Sequence, residues 1–171
     1  MSAPPIPTLK PVIFINIIVD EPSVVYSNDT TSLTYVNIKG GYTKSLDNDL
    51  PFDCDIIAGT DHITSINGIS NPPVSNLDCR ILLKSKKNGG GIEMKYSGVV
   101  QINKAIADVF SKASSTMEYT DGYLSNSPYF LLDGSCADEK WVSNQNFIGK
   151  GRFVRDQQGN LTVQYYIYIF N

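Results

Sequence analysis

The sequence contains one histidine, His62, and three cysteines, Cys54, Cys79 and Cys136. With one histidine in the whole chain and no Cys-x-x-Cys pair, no metal site is expected. An odd number of widely spaced cysteines, behind an N-terminus without a basic region and apolar core, is read as free thiols in a reducing, cytoplasmic setting. Positive charge is also sparse. No basic run exceeds Lys84-Ser85-Lys86-Lys87 and the formal net charge is −3, which argues against a nucleic-acid partner. The longest apolar run, Val12 to Val19, is broken by Asn16 and falls far short of the roughly 20 residues of a membrane helix, so no membrane partner is expected. There is no Gly-x-Ser-x-Gly. Gly149-Lys150-Gly151 lacks the upstream Gly and following Ser/Thr of a phosphate loop, and Gly89-Gly90-Gly91 has no helix after it to face an anion. No cofactor is expected.

What is present is strand chemistry. Hydrophobic residues make up 42% of the 171 residues and charged residues 18%, enough for one domain with its own core. Residues 1–10, with Pro4, Pro5 and Pro7, read as an extended arm, and 11–171 as a single domain. Pro11 to Asp20 is β-branched and aromatic, a well-buried strand. Glu21 to Thr31 reads as a loop, Leu33 to Lys39 as a strand ending in Gly40-Gly41, and Tyr42 to Phe52 as a loop. Asp53 to Ser65 suggests a short strand on either side of Gly59-Thr60-Asp61-His62. Ile102, Ile106, Val109 and Phe110 share one helical face, with Asn103 as cap. Tyr129 to Leu132 and part of Trp141 to Val154 read as strands. Leu161 to Phe170 is apolar or aromatic on both faces. Many short strands with frequent turn signals predict an all-β fold, a single antiparallel barrel with one short helix, its two terminal strands paired.

The stretch Asn76 to Gln101 reads as a hairpin with a Lys/Asn/Gly tip. Asp78 and Arg80 fall on one face of its first arm, and Glu93 and Lys95 on one face of its second. Two arrangements satisfy this pattern: a solvated charge ladder on the outside of the barrel, or a polar cavity in which Arg80 holds an oxyanion and Asp78 or Glu93 moves a proton.

Val36-Asn37-Ile38-Lys39-Gly40-Gly41, Gly59-Thr60-Asp61-His62, Leu77-Asp78-Cys79-Arg80 and Gly91-Ile92 with Tyr96-Ser97-Gly98 follow one another in an order that resembles the DUF3237 (UPF0311) family. So do Tyr129-Phe130, Trp141-Val142 and Phe147-Ile148-Gly149-Lys150-Gly151. The resemblance spans nearly the whole chain and implies a calycin-like β-barrel, often oligomeric, of largely uncharacterised activity. The chain departs from the pattern at His62, where the family tends to have Trp, at Leu131-Leu132, where it tends to have Arg-Thr, and at Ser143, where it tends to have Asn.

Three functions fit these residues. The first is a barrel that binds an apolar or aromatic small molecule, with Asp78, Arg80, Tyr96, Tyr129 and Trp141 as candidate ligand contacts. The second is a cofactor-free isomerase, cyclase or lyase, with His62, Asp61 and Glu93 as candidate catalytic groups, because His62 is the one side chain that ordinarily titrates near neutrality. Its plain alternative is a strand-end histidine bonded to backbone. The third is a structural, homo-oligomerising barrel with a filled interior.

Overall fold

Inside and outside alternate residue by residue along most strands. In the computed structural model, which describes residues 5–171, the elements are β1 (Leu9–Val19), β2 (Ser23–Ser27), β3 (Thr31–Ser45), β4 (Cys54–Ile66), β5 (Val74–Ser85), β6 (Gly91–Gln101), α1 (Lys104–Phe110), β7 (Thr116–Met117), β8 (Leu124–Leu132), a 3-10 helix (Glu139–Asn144), β9 (Ile148–Arg155) and β10 (Leu161–Phe170). On β5, Leu77, Cys79, Ile81 and Leu83 are buried while Asn76, Asp78, Arg80, Leu82 and Lys84 are exposed. That period of two is what one face against a core and one against water requires.

The strands follow the order β1-β10-β9-β8-β6-β5-β4-β3, and β1 also pairs with β3, closing an eight-stranded antiparallel barrel. The expected pairing of the terminal strands is present, from Leu9 opposite Phe170 to Val19 opposite Leu161. Closure leaves the barrel strands no long free edge. β2 extends the sheet along β3 beyond the end of β1, and β7 pairs with the end of β9. The β8–β9 seam is the narrowest, with only Ser125 opposite Lys150 and Asn126 opposite Gly149.

Local chemistry accounts for the departures from the expected elements. β2 lies within a segment read as loop. β3 continues to Ser45 because the Thr43 hydroxyl, buried in the wall, donates to the Phe52 carbonyl and accepts from the Cys54 amide. β4 is one continuous strand rather than two. Trp141 lies in the 3-10 helix, not on a strand, and its Nε1 donates to the Pro51 carbonyl at 2.9 Å. Of the expected N-terminal arm, residues 1–4 lie outside the described residues and β1 already begins at Leu9. The helix, expected over Ile102 to Ser111, is confined to Lys104–Phe110 but capped as read, Asn103 Oδ1 accepting from the Ile106 amide.

The two ends of the barrel differ. One is plugged by Phe52, Phe130, Phe147 and Trp141, with ring centroids 4.9–5.8 Å apart along the chain of contacts. Beside this plug Glu139, 2% exposed, accepts from Ser85 Oγ and Asn88 Nδ2. The other end, where β1 runs into β2 and β6 into α1, carries no such plug and leads into a cavity.

Candidate functional site

A cavity of about 390 Å³ occupies the open half of the barrel. Its walls are mostly aliphatic, including Ile17, Val36, Ile38, Leu77, Val100 and Leu161. Glu21, Pro22 and Val24 from the β1–β2 segment and Phe110 from α1 stand at its mouth. At the mouth Arg155, 6% exposed, donates to both carboxylate oxygens of Glu21 at 2.5 and 2.9 Å and also to the carbonyls of Val109 and Gly159. This fork holds the β1–β2 segment against the end of β9, and Arg155 keeps the Glu21 carboxyl below its usual range.

Beyond Glu21 at the mouth, the polar lining comprises Thr34, the pair Ser65 and Ser75, whose hydroxyls bond each other at 2.6 Å, and the group of Asp61, Tyr96 and Tyr165. Asp61 Oδ1 and the Tyr165 hydroxyl are buried with no hydrogen-bond partner among the described residues. Burial pushes the Asp61 carboxyl up to about 7; the Asp78 backbone amide offsets part of this and the Asp78 charge adds to it. Burial also holds both phenols, and the Cys79 thiol beside them, well above their usual ranges, so all three stay neutral. The Tyr96 and Tyr165 rings meet edge to face with centroids 5.8 Å apart.

Room for this group comes from two glycines. A Cβ at Gly151 would lie 2.6 Å from both Tyr165 Cε1 and Leu124 Cδ2, and one at Gly149 would lie 1.9 Å from Asn126 Oδ1. β9 therefore recedes where Tyr165 and Asn126 need the volume. Asn126 is itself 2% exposed and its amide has no partner among the described residues.

Asp61 owes its direction to a bulge. Ile56 pairs with Leu83, but the next pair on β4 is Ala58 with Leu82, so Ile57 is an extra residue. An inserted residue reverses the phase of everything after it. Cys54 and Ile56 face inward before the bulge; Asp61, Ile63 and Ser65 face inward after it.

Of the candidate residues, Asp61 and Tyr96 come together in the cavity. His62, next in sequence, is on the outer face, exposed, its ring 5.7 Å from that of Tyr35 and its register partner Asp78 beside it. Arg80, Glu93 and Lys95 form the outer ladder, with Arg80 Nε 3.0 Å and Lys95 Nζ 3.3 Å from Glu93 carboxylate oxygens. Tyr129 is also outside, 53% exposed, and Trp141 belongs to the plugged end. The inward-facing apolar series Leu77, Cys79, Ile81 and Leu83 occupies the core side of β5 and leaves its charges no other direction. Tyr165 and Asn126 were not singled out in the sequence. Each stands in phase with inward apolar neighbours, Ile167 and Ile169 for Tyr165, Leu124 and Phe130 for Asn126, which is the signal that marks them.

Among the described residues, no three His, Cys, Asp or Glu side chains cluster to hold a metal, and no helix is long and apolar enough to cross a membrane. The family model of DUF3237, described as a protein of unknown function, matches residues 7–170. No curated protein matches. Solved structures are similar across the whole chain. A conserved protein of unknown function from Rhodopseudomonas palustris has 12% identity and a TM-score of 0.74, with 99% of this chain and 100% of that one covered. A β-barrel-like protein from Acinetobacter baumannii has 16% identity and a TM-score of 0.68, with 100% of both chains covered. An enzyme from Penicillium herquei has 15% identity and a TM-score of 0.62, with 100% of this chain and 99% of that one covered. At these identities the likeness is one of fold.

Proposed function

The chain belongs to the DUF3237 family, and from that premise we propose that its barrel is a binding site for a small, largely apolar molecule entering by the open end. The observation that carries this reading is the combination of a cavity of about 390 Å³, aliphatic walls and inward polar atoms without partners. The volume falls within the roughly 300–1,000 Å³ usual for small-molecule sites. A buried polar atom with no partner costs about 1–3 kcal/mol, a cost that a ligand group meeting it removes. The ligand contacts of this reading are Asp61, Tyr96 and Tyr165, with Arg80 and Tyr129 outside. Titration with prodan, an uncharged naphthalene dye, tests it. Saturable binding with a blue-shifted emission is expected, abolished in Val36→Trp, which fills the wall. Equal binding by that variant, checked as folded by circular dichroism, overturns the reading.

A second reading, cofactor-free isomerase, cyclase or lyase chemistry, is favoured by the Asp61 carboxyl. A group at about 7 exchanges protons readily at neutral pH. The similar Penicillium herquei protein is an enzyme. In this reading Asp61, not His62, carries the proton. Turnover of a cyclisable or isomerisable substrate would be lost in Asp61→Asn while binding remained; unchanged turnover would eliminate it.

A further inference from the structure

We infer that the cavity recognises the protonated amine of an otherwise apolar amine and discriminates against carboxylates and other anions. The inference rests on the binding reading above and concerns the charge of the ligand.

The argument begins with the charges that face the interior. No lysine, arginine or histidine is among the residues that line the cavity. Two carboxyls do, Glu21 and Asp61. Glu21 is engaged at the mouth by Arg155, with Lys112 Nζ 3.7 Å away. Asp61 has no cation, and its Oδ1 is a buried acceptor with no donor among the described residues. The groups that face Asp61 from other strands are the Cys79 thiol of β5 and the Tyr96 and Tyr165 phenols of β6 and β10, all held neutral; its neighbour on β3 is Val36. Asp61 and Tyr165 both line the cavity, and after burial the Asp61 charge is the largest influence raising Tyr165.

An ammonium group carries three N–H donors and no acceptor, and an ionised carboxylate is acceptor-only. Asp61 Oδ1 and the unpaired Tyr165 oxygen offer such a head group two acceptors. A ligand carboxylate would find a carboxyl and no cation, and two carboxyls at one site cannot both remain ionised. An uncharged alcohol satisfies the acceptors without the ion pair. The walls suit an aliphatic or small aromatic tail.

Opposite pH dependences follow. An amine binds the ionised form of Asp61, so its affinity rises as pH passes through about 7 and should be about tenfold greater at pH 8 than at pH 6. A carboxylic acid that shared a proton with Asp61 would weaken over the same interval.

The test is displacement of bound prodan by decylamine, 1-decanol and decanoic acid at pH 6 and pH 8. Decylamine should displace the dye best, with the tenfold rise. Asp61→Asn should abolish the rise and weaken decylamine by tenfold or more, several-fold more than it weakens decanol, and Tyr165→Phe should weaken decylamine several-fold. Decanoic acid displacing the dye as well as decylamine at pH 8, or a decylamine affinity indifferent to pH and to Asp61→Asn, overturns the inference. So does prodan binding that none of the three competes with, which leaves the binding site itself standing. Absence of prodan binding removes both.

Discussion

Replacing Asp61 by Asn should make the free protein more stable at neutral pH, although it alters the most chemically distinctive group of the cavity. The ordinary value of 3.8 for this carboxyl rises to about 7 in the fold because burial penalises the ion. Between those values the folded chain holds a proton that the unfolded chain has lost. Stability is therefore unaffected by Asp61 below about pH 4 and declines as pH rises to about 7. At about 1.4 kcal/mol for each tenfold in proton affinity, the full penalty at pH 8 is about 4 kcal/mol. Relaxation of the groups around the carboxyl lowers this, so the expected gain for Asp61→Asn at pH 8 is about 2–4 kcal/mol. At about 2–4 °C per kcal/mol for a chain of this size, that is roughly 5–15 °C. At pH 4.5 the difference should shrink to about 1 kcal/mol or less. Carboxyls held below their usual range by partners, such as Glu21 beside Arg155, oppose this trend at lower pH but are common to both proteins. Guanidinium unfolding at pH 4.5, 6 and 8 yields the difference curve. A gap independent of pH, or a parent more stable than the variant at pH 8, would refute the assignment of Asp61 to a desolvated interior.

Other parts of the fold make sharp predictions. Gly151→Ala should lower stability by about 1–3 kcal/mol, because its Cβ would press on Leu124 and Tyr165 and tight cores resist added volume; a thermal melt within 1 °C of the parent would show that the wall yields freely. Arg80→Ala removes an exposed partner of Glu93 and should change stability by under about 1 kcal/mol and prodan affinity by less than about twofold; a large loss of binding would mean that the outer ladder reaches the cavity.

Strand alternation carried most of the fold. The odd-numbered apolar residues of β5 and the even-numbered ones of β6 mark the core faces, and the strong apolar character of β1 and β10 marks their pairing. The hairpin charges were equally legible once their apolar neighbours are assigned to the core, for the two sets share a strand in opposite phase. The plugged end was not legible, because Trp141 and Pro51 are brought together over 90 positions of sequence. Nor was the choice between Asp61 and His62. Period-two reasoning from Cys54 and Ile56 would send His62 inward, and only a one-residue irregularity, which no residue type announces at Ile57, reverses it.

That irregularity makes the interior chemistry switchable in a single step. Removing the extra residue Ile57 would restore the pleat and leave Asp61 inward and His62 outward, opposite Cys79 and Asp78 as they stand now, whereas smoothing the bulge at constant length would slip the pairing beyond it by one residue, turning His62 and Thr64 toward the cavity and sending Asp61 out without changing a functional side chain. Related barrels can therefore exchange an acid for a base by gaining or losing this bulge at constant length, and an alignment that runs without a gap from a bulged strand onto an unbulged one would pair residues that stand on opposite sides of the wall.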